Sequence, residues 1–169
     1  MSREIELLDR EVGDRCLAVI NNFNMKYINE GAELLIYCTL RSFEKQARLF
    51  RRGRSLIAIQ ERAHILRKKW NRDDLADILI DVGPQYGRIV TYAAPGQSMH
   101  NYRLAFDAVP LRDGKPVWGH DTEYEKDLWE SYGRIAVNAG LEWAGNWKSW
   151  NEYPHCQKKG MDWKDLIGG

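Results

Sequence analysis

The chain has 169 residues and a mass of 19.7 kDa, which is typical of one domain. Hydrophobic residues make up 44% of the sequence, and seven tryptophans and eight tyrosines supply enough apolar surface for a core, which excludes a disordered or collagen-like chain. No run approaches the roughly 18 apolar residues needed to cross a bilayer, and residues 1–14 lack the apolar stretch of a signal peptide. We therefore expect a single domain over residues 1–169, made in a cytoplasm and without stable membrane insertion.

The net charge of +1 hides an uneven distribution of charge along the chain. Between Arg41 and Lys69 there are ten basic residues and two acids, so this segment carries +8 and the rest of the chain carries −7. Such a segment can attract an anionic partner, for example nucleic acid, a membrane surface or a cell-wall polymer. It can also be no more than a solvated helical face.

The amino-terminal half of the chain predicts mainly helices. Apolar residues recur with the helical period over residues 9–25, and residues 33–39 form a short apolar run typical of a buried strand that ends just before Arg41. Ser42 is a candidate N-cap for a helix that continues to about Arg52. Helical patterns follow at residues 55–69 and 73–80, within an elaborated connection over residues 55–86.

The carboxy-terminal half predicts several short strands and one long helix. Strands are expected at residues 88–92, 104–111, 115–118 and 155–157, and Asp113-Gly114 has the composition of a hairpin turn. A helix is expected over residues 123–138, an aromatic-rich loop over 143–153 and a short helix from Trp163. Together these elements predict an α+β fold in which helices flank a small antiparallel sheet.

Two histidines have carboxylates close to them in the sequence. His100 precedes Asp107 by seven residues, and His155 follows Glu152 by three. Two imidazoles and one carboxylate match a catalytic zinc site, in which three protein ligands leave one position open. Glu152 would then stand beside the metal and accept a proton from water. The His-x6-Asp spacing alone arises by chance in many chains, so the surrounding residues decide its meaning.

The surrounding residues resemble a known family. Residues 98–107 (SMHNYRLAFD) resemble the SxHxxGxAxD signature of the LAS metallopeptidases, which include VanY-type carboxypeptidases and L-alanyl-D-glutamate endopeptidases, and residues 152–155 (EYPH) resemble their closing (D/E)-x-P-H element. Residues 39–46 (TLRSFEKQ) and 140–150 (GLEWAGNWKSW) are similar to segments of the endopeptidase branch. The resemblance implies a hedgehog/DD-peptidase-like single domain, with residues 55–86 as an insert.

The resemblance also implies Zn²⁺ as the cofactor and a role for each of several residues. The family's zinc ligands fall on His100, Asp107 and His155. Its catalytic carboxylate falls on Glu152 and its electrophile-stabilising arginine on Arg41, while Gln46 and Ser98 match positions near the substrate. The sequence departs from the signature at Arg103, where the family has glycine, so we expect the local backbone to differ there.

Cysteine chemistry gives a competing interpretation of the same region. Cys156 adjoins His155, which suggests a Cys-His protease, but neighbouring residues on a strand point to opposite faces of the sheet. The three cysteines are odd in number and form no CxxC pair, so no disulfide framework is expected.

The motifs lead to one principal hypothesis with alternatives. We expect a zinc-dependent peptidoglycan hydrolase that cuts the L-alanyl-D-glutamate bond of the stem peptide. We expect it to be a monomeric, bacteriolytic endolysin of a phage or prophage that reaches peptidoglycan in the periplasm or wall after the membrane opens. The alternatives are a D-alanyl-D-alanine carboxypeptidase on the same scaffold and a non-catalytic zinc-containing cell-wall-binding domain, although a structural site needs no spare Glu152. No nucleic-acid-binding motif supports the remaining alternative, nucleic acid as partner.

Overall fold

The computed structural model describes residues 2–168. These residues pack as two units, the first formed by residues 2–40 and 103–160 and the second by residues 41–102 and 161–168. The single domain expected over residues 1–169 stays a prediction. In the described part of the chain, no helix is both long and apolar enough to cross a membrane.

Within residues 2–168 the regular elements are five α-helices and five strands, as predicted for an α+β chain. The helices are α1 (Arg10–Tyr27), α2 (Phe43–Arg51), α3 (Leu56–Trp70), α4 (Asp73–Asp81) and α5 (Glu123–Asn138). The strands are β1 (Ala32–Cys38), β2 (Ala105–Arg112), β3 (Lys115–Pro116), β4 (Leu141–Trp143) and β5 (His155–Lys158).

The first unit contains the whole sheet together with α1 and α5. All strand pairs are antiparallel, in the order β1-β2-β5-β4, and β3 pairs with β2. Helix α1 packs on β1 and on α5, and α5 packs on β4. Asp9 caps the start of α1, and Thr122 forms a capping box with Glu125 at the start of α5. The bounds predicted for both helices are confirmed within two residues.

The second unit is helical and has a hydrophobic core of its own. Helices α2, α3 and α4 contribute buried side chains, including Phe50, Leu66 and Leu75, and the carboxy-terminal Ile167 packs against the same cluster. Ser42 and Ser55 cap α2 and α3 through their side chains, as expected for the first of them. The insert at residues 55–86 is therefore helical. It supplies most of the buried side chains of this core, so it is not an extended spacer.

Three expectations about the secondary structure were wrong. Residues 88–92 form no strand: Ile89 and Val90 are exposed, and side chains hold this part of the backbone, with Arg54 Nη2 donating to Thr91 O at 2.7 Å. The run beginning at Lys115 is paired over two residues only, and the expected carboxy-terminal helix is a 3₁₀ turn, Trp163–Asp165. Strand β4 was not predicted, because three residues are too few to establish an alternating pattern.

Arg103 adopts the backbone conformation that glycine adopts most easily. Its φ is +66°, in the left-handed region that favours glycine, so the expectation that the backbone differs at this position was wrong: the arginine keeps a glycine-like conformation. The guanidinium donates to the carbonyls of Leu7 at 2.5 Å and Leu8 at 3.0 Å, and the Arg103 carbonyl accepts from Asp9 N. These bonds compensate for the backbone strain and attach the amino-terminal segment to the start of β2.

This arrangement predicts different effects for two substitutions at position 103. Arg103→Ala keeps the strained φ and removes both side-chain bonds, so we expect the free energy of unfolding to fall by about 1 kcal/mol. Arg103→Gly also removes the bonds but relieves strain of about 1 kcal/mol, so its stability should lie close to that of the unsubstituted protein. Urea denaturation of the three proteins measures their free energies of unfolding. Equal stabilities for the alanine and glycine variants would show that the backbone of Arg103 is not strained.

Candidate active site

Asp107 and His155 form a buried pair in the sheet of the first unit. They lie opposite each other on β2 and β5, with 3.0 Å between Asp107 Oδ1 and His155 Nδ1. Asp107 is 5% exposed and His155 is 7% exposed. A buried carboxylate is costly unless it is paired, and a carboxylate beside an imidazole is a donor set suited to zinc. Two of the three predicted metal ligands are therefore in contact, and their chemistry fits the metal.

Gln157 is a neighbour of His155 that the sequence analysis missed. Its side-chain oxygen lies 3.2 Å from His155 Nε2, and the amide is buried. A neutral imidazole has one N–H and one lone pair, so it can donate to one of its two neighbours and keep the other nitrogen as a metal donor. Residues two apart on a strand share a face, and this periodicity was the signal that could have identified Gln157.

Cys38 is a second residue that the sequence analysis did not single out. It lies at the end of β1 opposite Asp107, because the register between β1 and β2 shifts between Ile36 and Cys38. The Cys38 sulfur and an Asp107 carboxylate oxygen lie within 4.8 Å of each other, and the thiol is buried. Thiolates also bind zinc, so Cys38 is a further candidate ligand of the first unit. A register shift of this kind has no marker in the sequence.

The segment before β5 presents Glu152 to solvent. The Glu152 amide donates to Ala144 O at 3.2 Å, and its carbonyl accepts from His155 N at 3.0 Å. Pro154 is held more firmly, because its carbonyl accepts from Ala108 N at 3.0 Å and from the Tyr132 hydroxyl at 2.9 Å. The backbone from residue 152 to residue 155 is thus fixed, while the Glu152 side chain is exposed. That placement leaves the carboxylate accessible to a substrate.

The second unit holds the remaining predicted residues, beginning with Arg41 and Gln46. Arg41 Nη1 donates to Gln46 Oε1 at 3.0 Å, and Gln46 Nε2 donates to Ala93 O at 2.6 Å. Gln46 is fully buried on α2. Its two bonds fix the direction of the Arg41 guanidinium, so the structure places Gln46 as a support of Arg41. A direct contact between Gln46 and substrate stays a prediction.

His100 and Ser98 lie beside Arg41 along the backbone of the same unit. His100 is in a 3₁₀ turn, Met99–Tyr102, is 2% exposed, and accepts a bond from Arg41 N at 3.1 Å through its carbonyl. The neighbouring Asn101 donates to Arg41 O at 2.8 Å. Ser98 is half-buried at the start of this turn. The Arg41 backbone is therefore tied to the segment that carries His100.

Cys156 does not have the environment of a nucleophile. It is buried on β5, where it pairs with Phe106 and Trp143 of the adjoining strands, while His155 faces Asp107. Burial raises the pKa of the Cys156 thiol well above its usual value, and burial also raises the pKa of Cys16 to about 12. Both thiols stay protonated near neutral pH, which argues against a Cys-His protease.

We expect Cys16 and Cys156 to resist alkylation in the folded protein. Because their pKa values are raised, the reactive thiolate is scarce at pH 8, and burial blocks the reagent as well. Peptide mass spectrometry after iodoacetamide treatment should find both residues unmodified until a denaturant is added. Rapid labelling of Cys156 in the native protein would instead support the Cys-His protease hypothesis.

Comparison with known proteins gives matches in sequence and in structure. Residues 92–158 match a family model described as D-alanyl-D-alanine carboxypeptidase. The chain is 34% identical over 135 residues to the peptidoglycan L-alanyl-D-glutamate endopeptidase CwlK of Bacillus subtilis (strain 168), a match that covers 76% of this chain and 62% of that protein. The crystal structure of Serratia marcescens L-Ala D-Glu endopeptidase ChiX matches with a TM-score of 0.46 and 15% identity, over 96% of this chain and 86% of that chain.

The matched segment is the part of the chain that carries most of the predicted chemistry. Residues 92–158 include His100, Asp107, Glu152 and His155 in the order that the motifs require. The chain spans 62% of the length of the curated relative, so the match concerns the portion that the two share. Within that portion, the motifs and the family model agree, because residues 92–158 carry both the motifs of the zinc peptidases and the match to the D-alanyl-D-alanine carboxypeptidase model.

Proposed function

We propose that this protein is a zinc-dependent peptidoglycan hydrolase that cleaves the L-alanyl-D-glutamate bond of the stem peptide. The observation that carries the proposal is the buried Asp107–His155 pair, which lies within the family match and has the donor chemistry of a zinc site. The L-alanyl-D-glutamate endopeptidase activity for which the 34% identical Bacillus subtilis relative is named supports this choice of bond. We further propose His100 as the third ligand, on the strength of the SxHxxGxAxD resemblance.

The proposed reaction assigns a task to each polar residue. When bound, zinc supplies a Lewis acid that polarises a carbonyl and lowers the pKa of water. The exposed Glu152 carboxylate accepts a proton from the attacking water and donates it to the leaving amine. The Arg41 guanidinium, directed by Gln46, donates charge-assisted hydrogen bonds to the oxygen on which negative charge develops.

A second candidate function uses the same residues on a different bond. The description of the matched family model, D-alanyl-D-alanine carboxypeptidase, favours removal of the terminal D-alanine. We rank it second, because the TLRSFEKQ and GLEWAGNWKSW segments resemble the endopeptidase branch. The residues proposed to hold the metal do not distinguish the two reactions.

The biological setting that we propose is cell lysis. We propose that a phage or prophage encodes this protein as a monomeric endolysin, which makes it bacteriolytic and a candidate antimicrobial. In this setting it is made in the host cytoplasm and acts on peptidoglycan in the periplasm or cell wall once the membrane has been opened. The resemblance to the endopeptidase branch supports this setting.

The reaction can be identified from the fragments that it releases. After incubation of purified peptidoglycan with the zinc-loaded protein, we expect mass spectrometry to find stem peptides that begin with D-glutamate. Glu152→Gln should keep bound zinc but lower the rate by about 10²-fold or more, the usual contribution of a general base. Loss of a single D-alanine would instead establish the carboxypeptidase, and an unchanged rate for Glu152→Gln would remove that residue from its proposed role.

The metal site can be tested apart from activity. Asp107→Ala should weaken zinc binding by at least about tenfold, because the effect of losing a ligand exceeds that of losing an outer hydrogen-bond partner. Asp81→Ala, which removes an exposed carboxylate at the end of α4, serves as the control and should bind zinc normally. The comparison uses metal content by elemental analysis after dialysis against graded chelator. Full retention of zinc by Asp107→Ala would exclude this residue as a ligand.

A further inference from the structure

A cleft in the second unit lies outside the residues proposed for catalysis. It has a volume of about 680 Å³ and lies between α3, residues 92–97 and residues 163–164. Within the described part of the chain, its lining contains four cationic side chains and no carboxylate. The cations are Arg62, Lys68, Lys69 and Lys164, and the aromatic residues are Trp70, Tyr92 and Trp163. The volume is that of a small-ligand site.

The aromatic rings of the cleft stand directly beside its cations. Trp70 and Trp163 pack edge to face, with 5.2 Å between ring centres and 62° between planes. Lys69 Nζ lies 5.3 Å from the centre of the Trp70 ring, and Lys164 Nζ lies 5.6 Å from that of Trp163. Tyr92 is 65% exposed. Flat apolar surfaces next to ammonium groups suit a ligand with both sugar rings and carboxylates.

The charge of the cleft is largely available to a ligand. The acids Asp73 and Asp77 of α4 pair with Arg67, which is not part of the lining. Lys164 faces Asp162 at 3.7 Å, and both groups are exposed. Among residues 2–168, neither Lys68 nor Lys69 takes part in an ion pair. These two exposed ammonium groups therefore give the cleft a positive field that is not cancelled locally.

The cleft continues into the segment that supports the proposed catalytic arginine. Ala93 and Gln97 line the cleft, and Ala93 accepts the hydrogen bond from Gln46, the residue that directs Arg41. Arg62 Nη1 donates to Gln97 Oε1 at 3.1 Å, which ties α3 to the same segment. Ser98 follows Gln97 directly. A ligand in the cleft would thus lie against the chain segment that leads to Ser98 and His100.

We propose that this cleft is an accessory binding site for peptidoglycan, with Lys68 and Lys69 binding carboxylates of its stem peptides and Trp70, Tyr92 and Trp163 contacting sugar rings of its glycan. The inference rests on the proposed function and extends it, because it gives the helical insert a task in holding the polymer. Nucleic acid fits less well, since the tilted Trp70 and Trp163 rings offer no parallel platform for successive bases.

The test compares two double charge reversals in the Glu152→Gln protein, so that binding is measured without cleavage. Lys68→Glu with Lys69→Glu alters the cleft, whereas Lys115→Glu with Lys159→Glu makes the same change of net charge at exposed positions of the first unit. Binding is measured by co-sedimentation with insoluble peptidoglycan freed of attached polymers. We expect the cleft variant to bind at least about fivefold more weakly than the control variant.

Four further binding measurements identify the chemistry of the ligand. Conversion of the peptidoglycan carboxylates to neutral amides should abolish the difference between the two variants, and Tyr92→Ala, a change at an exposed ring, should also weaken binding. Duplex DNA and anionic lipid vesicles should not discriminate between the two double variants. Equal binding of both variants to peptidoglycan, or discrimination seen only with DNA or vesicles, would overturn the proposal. Because the experiment measures binding and not cleavage, it tests the cleft even if the proposed reaction proves wrong.

Discussion

The contact between Asp107 and His155 imposes the strictest condition on the first unit. Burial of a carboxylate is costly unless the group is hydrogen-bonded or paired, and Asp107, which is more than nine-tenths buried, meets this requirement through its 3.0 Å contact with the equally buried His155. The antiparallel pairing of β2 with β5 brings the two side chains together, since it sets Asp107 opposite His155. The short loop before β5 is correspondingly well anchored through Pro154. Sheet register is thus the physical basis of the proposed metal site.

In the second unit, a side-chain hydrogen bond, and not strand pairing, positions a charged group. Arg41 lies three positions after the last strand residue, and a buried amide, that of Gln46, accepts a hydrogen bond from its guanidinium. Gln46 can accept from the guanidinium and donate to Ala93 O at the same time, because a side-chain amide carries both a carbonyl oxygen and an NH₂ group. The hydrophobic core formed by α2, α3 and α4 fixes Gln46, and the helical insert therefore supports this arrangement.

The distribution of charge acquires a structural meaning when the helices are placed. Several of the ten basic residues between Arg41 and Lys69 already have polar partners within the second unit. Arg51 donates to the carbonyls of Leu79 and Ile80, and Arg67 pairs with acids of α4. Lys68 and Lys69 instead line a cleft with two tryptophans. The segment is therefore neither a uniform solvated face nor a uniform anion-binding face.

The sequence by itself determined the features that depend on neighbouring residues. The bounds of α5 follow from its capping box and from Gly140, and the positions of the candidate ligands follow from motifs of ten residues or fewer. Tertiary structure decided what depends on distant partners. Residues 88–92 have the composition of a strand but no strand to pair with, Cys38 reaches Asp107 through a register shift, and the cleft joins residues 62–70 to residues 163–164. Pairing and packing across long sequence separations leave no local pattern, which is why they became visible only in the folded chain.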